Sequence, residues 1–460
     1  MKRTPLSLIA HWAGGELHGD DASIDAIGND TRTLTPGSLY VALRGENFDG
    51  HAFAADALAR GAGALLVEAL QPLDVPQIVV ANTELALAKI AAAMQQGRSA
   101  KVFAITGSNG KTSVKNLLLA ILRHAAALEG RSVHATPGNR NNEIGLPLAV
   151  IDAPEDADYA VYEMGTGKPG DIAYLTAIAP PDVALVNNVA PAHLERMGSL
   201  LEIANTKAAV HDDLRADGVA VVNADDAFAP YFAARAGAHR VIRFGLEVSA
   251  DVTAGNIVLA ETGSRFQLRT PQDSAGVELH LPGRHNVLNA LAAASLALAA
   301  GIALAQVAEG LAQARPVPGR QVAHVLPSGA VLVDDSYNAN PGSLAAAITA
   351  LAAGKEEGWL VLGDMRELGP DAQALHAQAG LRAREAGLKR LYALGPLSAA
   401  AAAAFGEGAR HFDSHAALAA ALDTELHAGV RCLVKGSRGS AMDKIVTALL
   451  KRGEDTPHVA

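Results

Sequence analysis

A chain of 460 residues, half of them apolar, carries more core-forming side chains than one hydrophobic centre ordinarily organises, so two or three domains are expected. A formal charge of −10, with no long Lys/Arg block, excludes the broad basic footprint of a nucleic-acid binder. The single cysteine, Cys432, excludes an intrachain disulfide, and its apolar neighbours in Arg431-Cys-Leu-Val434 suit a buried strand.

Leu and Ala supply most of the apolar content while aromatics make up only 4%, which favours Ala-rich helices packed on sheets and an α/β class. The opening Met-Lys-Arg-Thr-Pro-Leu-Ser-Leu-Ile-Ala-His-Trp has a short apolar run broken by His11, so no signal peptide is expected. Leu288–Ala305 is the most membrane-like stretch. It is mostly Ala, holds Asn289 and Ser295 and is broken by Gly301, which reads as a buried helix and a soluble, cytoplasmic chain without membrane insertion.

In chain order, residues 1–97 hold short strand-like runs, Ser38-Leu-Tyr-Val-Ala-Leu43 and Ala64-Leu-Leu-Val67, between Gly, Pro and Asp turns, and form a small α/β domain. From 98 to 314 apolar strands at 102–106, 160–163, 183–187 and 219–223 alternate with helices, the pattern of parallel strands joined by crossovers. Period-two runs within 250–281, such as Arg265-Phe-Gln-Leu-Arg269, predict an antiparallel appendage to this central domain. Arg315-Pro-Val-Pro-Gly-Arg320 reads as a linker, because each Pro removes a donor and discourages helix before it. A third domain over 315–460 repeats strand then helix, with strands at 331–334, 359–362, 391–394 and 432–434, and resembles a Rossmann-like sheet. The run Ala399–Ala404 reads as the surface of a helix.

The strongest chemical signal is Phe103-Ala-Ile-Thr-Gly-Ser-Asn-Gly-Lys-Thr-Ser113, an apolar strand entering a glycine-rich turn at a helix start. Gly107, Ser108, Asn109 and Gly110 offer backbone N–H groups to phosphates, Lys111 reaches their outer oxygens, and Thr112, followed by Ser113, can ligate Mg²⁺. One departure stands out: the full pattern places a glycine at 105, where this chain has Ile105. A phosphate loop alone does not choose among motor, switch, kinase and ligase.

Thr106-Gly-Ser-Asn-Gly-Lys-Thr112 resembles the variant loop of the Mur ligases and folylpolyglutamate synthetases, which likewise lack that first glycine. Further segments spanning all three domains resemble the Mur ligase family, and among its branches the one that adds a dipeptide. The resemblance implies a fold of three domains: a small α/β domain for a UDP-linked substrate, a central P-loop ATPase domain and a C-terminal Rossmann-like domain. It also implies an ATP-dependent amide ligase, joining D-alanyl-D-alanine to a UDP-N-acetylmuramoyl-tripeptide through an acyl phosphate, with ATP and two Mg²⁺ sites, acting as a monomer.

The site residues follow from the same resemblance. Thr136-Pro-Gly-Asn-Arg-Asn-Asn-Glu-Ile-Gly-Leu-Pro147 is similar to a segment near the reacting carboxylate, which marks Asn139, Asn142 and Glu143; read alone they are polar turn residues. Tyr159-Ala-Val-Tyr-Glu-Met-Gly-Thr166 ends a strand in Glu163, a Mg²⁺ ligand beside bound phosphate. His193, in Asn187-Asn-Val-Ala-Pro-Ala-His-Leu-Glu195, is implied to bind a second Mg²⁺, and Lys207 to be carbamylated; by themselves one is an ordinary histidine and the other a helix lysine. Leu281-Pro-Gly-Arg-His-Asn-Val-Leu-Asn-Ala290 implies nucleotide contacts from His285, Asn286 and Asn289, residues that otherwise read as helix caps.

Across the linker, Arg320 would neutralise phosphate on domain closure. Asp335, in Asp334-Asp-Ser-Tyr-Asn-Ala-Asn-Pro341, would meet ribose hydroxyls, with Asn338 nearby. Lys435, Ser437 and Arg438, in Leu433-Val-Lys-Gly-Ser-Arg-Gly439, would face the cleft, as would Leu362-Gly-Asp-Met-Arg-Glu-Leu-Gly369. Thr31, Arg32 and Phe48 lie in segments similar to those that hold the UDP moiety, though a polar turn with a structural Phe fits them equally. Within the family, the Asp-Asn-Pro-Arg motif associated with diaminopimelate selection is absent. Another Mur-type ligase or a folylpolyglutamate synthetase, and outside the enzymes a slow P-loop switch, remain the alternatives.

Overall fold

The computed structural model describes residues 1–45, 48–191 and 194–454. Three sheets of mainly parallel strands follow one another along the chain. The first orders its strands Glu16–His18, Gln77–Val79, Ala64–Val67, Leu39–Val41 and Ile27–Gly28, with only the first pair antiparallel. The second runs Arg240–Phe244, Val219–Asn223, Val183–Val186, Lys101–Thr106, Tyr159–Glu163 and Val133–Ala135, parallel throughout. Its central strands are apolar along their length because helices cover both faces.

Helix Lys111–Glu129 buries Val114, Leu117, Leu118, Ile121 and Leu122 on one face of this sheet, a spacing that keeps one stripe turned inward. Beside it lies Arg284–Ala299, whose residues Ala290 to Ala297 are all buried and which stops before Gly301 at φ 88°. The membrane-like stretch is therefore core, and among the described residues no helix is long and apolar enough to cross a membrane. The appendage is a three-stranded antiparallel sheet, Thr253–Leu259, Ser264–Arg269 and Ser274–Leu279, whose Phe266, Leu268, Val277 and Leu279 join the same core.

The first two sheets share a continuous core, running from Leu6 and Ile9 through Ile90 and Met94 to Val102 and Tyr162. Arg98 fastens the junction: although 5% exposed, it donates to the carbonyls of Val150 and Ala153 at the end of helix Gly145–Ile151. The third sheet orders Val322–Val325, Val331–Asp335, Val430–Lys435, Glu357–Gly363, Arg390–Leu394 and Ala409–Phe412, antiparallel only at its first pair. Separate cores cover its two faces.

Cys432 sits in its strand with no exposure, as its neighbours suggested. The Ala run is helical, Ala399–Phe405, but it is a packing seam as well as a surface. Ala401 is fully buried against helix Ala372–Glu385, where a Cβ on Gly380 would lie 2.1 Å from the Ala401 carbonyl oxygen. Small side chains there let two helices approach closely, a demand that composition alone does not reveal.

Candidate active site

Strand Lys101–Thr106 lies at the centre of the second sheet, with Tyr159–Glu163 on one side and Val183–Val186 on the other. Connections leave these strands for opposite halves of the sheet, so a crevice opens beyond their carboxyl ends. Ile105 is fully buried inside the central strand, paired with Glu163 and Leu185. This explains the missing glycine: the phosphate turn starts only after Thr106, and position 105 is needed for the core.

Gly107 has φ 149° and Gly110 φ 80°, both in the region that favours glycine. A Cβ on Gly110 would stand 2.5 Å from Asn187 Nδ2 and 2.7 Å from Asn289 Oδ1, so the turn is clamped from two sides. Backbone N–H groups of Ser108 and Asn109 donate to the Asn188 carbonyl and side-chain oxygens at 2.9 and 2.8 Å, and Asn187 Nδ2 donates to the Asn109 carbonyl at 3.0 Å. Helix Lys111–Glu129 then starts with its amides toward the crevice, and Lys111 Nζ folds back to the Gly107 carbonyl at 2.7 Å. Loss of hydration pushes the Lys111 ammonium below its usual range, against the pull of Glu163.

Glu163 is 3% exposed at the end of its strand. The Thr112 hydroxyl donates to its two oxygens at 3.1 and 3.0 Å, Asn141 Nδ2 donates at 2.9 Å, and Lys115 Nζ lies 3.2 Å away. Burial pushes its carboxyl up, but Lys115, Lys111 and the two hydrogen bonds outweigh that and hold it below the ordinary carboxylate range. An anionic oxygen pair beside a hydroxyl, at the mouth of a phosphate turn, is a hard donor set of the kind Mg²⁺ takes together with substrate phosphates. Among the described residues no group of three or more His, Cys, Asp or Glu gathers as a metal cage.

Lys207, on helix Leu200–Ala208, is 2% exposed; burial, then the charge of Lys111, drives its ammonium far down. His193 lies outside the described residues.

The third sheet closes the far wall of a cleft of about 730 Å³. Arg320 donates to the Thr112 hydroxyl at 2.9 Å while its guanidinium lies 4.2 Å from the centre of the Tyr337 ring. Asn340 Nδ2 donates to Asn109 Oδ1 at 2.7 Å. Asp335 pairs with Lys435 at 2.7 Å, and Lys435 also donates to the Asn338 carbonyl at 2.9 Å. Burial lowers the basicity of His285, with Asp335 opposing.

Of the residues expected from sequence, Ser108 to Ser113, Asn142, Glu143, Glu163, His285, Asn286, Asn289, Arg320, Asp335, Asn338 and Lys435 line this one cleft. Asn286 and Asn289 do not cap their helix by side-chain bonds: Asn286 donates to the Pro282 carbonyl at 2.8 Å, and Asn289 accepts from Asn187. Asn139 and Arg438 are exposed outside the cleft, and Ser437 is engaged with the Ala339 carbonyl and the Arg366 amide. Thr31, Arg32 and Phe48 also lie away from it; Arg32 pairs with Asp30 at 2.6 Å and Phe48 is 58% exposed. Lys115, Asn141, Asn187, Asn188 and Asn340 were not singled out by sequence. For Lys115 the available signal was its place one helical turn after Lys111.

Family models match residues 23–97 (Mur ligase family, catalytic domain), 105–297 (Mur ligase middle domain) and 320–438 (Mur ligase, glutamate ligase domain). The UDP-N-acetylmuramoyl-tripeptide–D-alanyl-D-alanine ligase of Escherichia coli is 43% identical over 98% of this chain and 100% of its own. The crystal structure of MurF from Acinetobacter baumannii superposes with a TM-score of 0.91 at 32% identity, covering 98% of this chain and 100% of that one. MurF of Thermotoga maritima, solved in complex with ADP, gives 0.83 at 28% identity over 94% and 98%. With all three family segments in order and homology along the whole length, the chain belongs to the Mur ligase family.

Proposed function

We propose that this protein is an ATP-dependent ligase that joins D-alanyl-D-alanine to UDP-N-acetylmuramoyl-tripeptide, forming the pentapeptide precursor of peptidoglycan. The observation that carries the reading is the meeting of Lys111, Thr112 and Glu163 at one end of the cleft with Arg320, which reaches across to Thr112 from the other side. A phosphate grip, a metal carboxylate and a cation from the opposite wall are the elements phosphoryl transfer requires.

A free carboxylate is a poor acyl donor in water, so the tripeptide carboxylate first attacks the γ-phosphorus of ATP and the bond to the β-phosphate oxygen breaks. The resulting acyl phosphate is attacked by the dipeptide amine; phosphate leaves and the amine loses a proton. Lys111 and Arg320 would offset charge on the transferring group, and the amides of Gly107, Gly110, Lys111 and Thr112 would cradle the β-phosphate, whereas those of Ser108 and Asn109 are engaged by Asn188 and, contrary to the expectation from sequence, are not free for it. Mg²⁺, held by Glu163 and Thr112, supplies further positive charge when bound. Asn142 and Glu143 are assigned to the acyl substrate, His285, Asn286, Asn289 and Asp335 to the nucleotide, and Thr31, Arg32 and Phe48 to the UDP end. Residues 1–97, 98–314 and 315–460 are taken as the corresponding divisions of a cytoplasmic monomer.

Lys207 is assigned a carbamate. Its amine must be neutral to attack CO₂; the new N–C bond forms as the nitrogen loses one proton, and a buried neutral amine becomes an anion with two oxygens, under the influence of the Lys111 charge. Burial of Lys207 and the depressed basicity of its amine support this. His193 is assigned with it to a second Mg²⁺.

The decisive experiment incubates purified protein with ATP, Mg²⁺, UDP-muramoyl tripeptide and D-Ala-D-Ala. Stoichiometric phosphate and a pentapeptide product are expected. ATP turnover without amide formation would instead indicate a switch, and preference for folate or a single amino acid another amide ligase. Lys207→Ala should abolish ligation, and added bicarbonate should not restore it.

A further inference from the structure

Helix Lys111–Glu129 turns an apolar stripe to the core, yet Lys115 stands among those residues at 3% exposure. An ammonium in such a place is costly unless each N–H finds an acceptor, and a well-packed apolar residue would serve the fold as well. Lys115 has its full set: the carbonyls of Thr136 at 3.1 Å and Gly138 at 3.0 Å, and Glu163 Oε2 at 3.2 Å. The two segments also meet directly: the Thr136 hydroxyl accepts from the Glu163 amide at 3.0 Å, the Thr136 amide donates to the Val161 carbonyl at 2.9 Å and the Gly165 amide to the Asn141 carbonyl at 2.7 Å. One residue beyond Gly138 begins the stretch Asn139–Glu143, whose Asn141 also reaches Glu163. Lys115 does not line the cleft. All three of its acceptors, however, belong to the two segments that bring Glu163 and the Asn141–Glu143 turn into it.

We propose that Lys115 is a positioning residue for the ligation, holding the Glu163 carboxylate and the Asn139–Glu143 turn in one fixed arrangement relative to the phosphate loop. This rests on the reading of the cleft as a site of acyl-phosphate formation. The phosphate turn itself is held by Asn187, Asn188 and Asn289, none of which depends on Lys115, so nucleotide binding and acyl-substrate alignment are separable.

The test is Lys115→Met, which keeps length and removes charge, together with Glu163→Gln and the double variant. Four quantities are measured: kcat, KM for the UDP-tripeptide, the Kd for ADP at equilibrium, and the thermal midpoint. Lys115→Met should lower kcat/KM for the UDP-tripeptide about 10- to 100-fold, as loss of a supporting contact typically does. The Kd for ADP measured without Mg²⁺ should stay within about threefold, since the contacts that hold the phosphate turn are untouched. Because Lys115 ties Glu163 to the Asn139–Glu143 turn, an arrangement already broken at one end in Glu163→Gln, the loss in the double variant should be smaller than the product of the two single losses. The double variant removes both members of the Lys115–Glu163 pair, so it keeps the comparison available if Lys115→Met alone does not fold.

Multiplicative losses in the double variant, native-like kinetics in Lys115→Met, or loss of ADP binding in step with activity would each overturn the proposal. A native protein that makes no pentapeptide would instead overturn the functional reading beneath it.

Discussion

His211 ends the turn that follows the Lys207 helix and is 1% exposed. Neither ring nitrogen has a hydrogen-bond partner among the described residues, and the ring lies edge-on to Phe232 at 6.4 Å. Burial pushes its pKa down to about 4 from 6.5, against the pull of Asp212. The unfolded chain therefore takes up a proton at higher pH than the folded one. The stability contributed by neutral His211 is whole above pH 6.5 and is lost as pH falls toward 4, in total about 3 kcal/mol. At pH 5 the loss should already be about 2 kcal/mol.

His211→Leu removes the titration while keeping an apolar side chain against Phe232. Its stability relative to native should improve by about 2 kcal/mol on going from pH 8 to pH 5. Because several cores need not unfold together, the readout should be local: amide hydrogen exchange of peptides covering Leu200–Arg235, converted to opening free energies at each pH. A difference between variant and native that is the same at both pH values would refute the reasoning, since it would mean that the folded ring takes up its proton as readily as the unfolded one.

Gly110→Ala forces a φ of 80° on a residue with a side chain, at about 1–2 kcal/mol, and drives its Cβ into Asn187 and Asn289; ADP affinity by calorimetry should fall at least about tenfold. Arg320→Ala removes a charged hydrogen bond to Thr112 worth about 1.5–3 kcal/mol, so ATP turnover should drop about 10- to 100-fold. Arg320→Lys should not restore it, because an ammonium cannot both lie flat on Tyr337 and reach Thr112. Burial pushes the Cys432 thiol up to about 12, so iodoacetamide should leave native protein unmodified and label it only after denaturation, as mass spectrometry would show.

Much of this was legible in the sequence where physics is local. The strand-turn-helix at Phe103–Ser113 needs glycine where φ is positive and a lysine at the helix start, and both requirements act within a few residues. The central parallel strands announced themselves as short apolar runs because both of their faces are covered. The buried Ala helix at Arg284–Ala299 was distinguishable from a membrane span by its Asn residues and its terminal glycine.

Tertiary structure alone decided which polar residues meet. Lys115 and Glu163 are far apart in sequence, and only the pairing of Tyr159–Glu163 with Lys101–Thr106 brings the carboxylate over the helix turn that carries the lysine. The same holds for Arg320 with Thr112 and Asn340 with Asn109, contacts between units that no local periodicity encodes. The Ala399–Phe405 seam and the core shared by the first two sheets were likewise hidden, because a small or apolar residue states that it can be buried, not what it will be buried against.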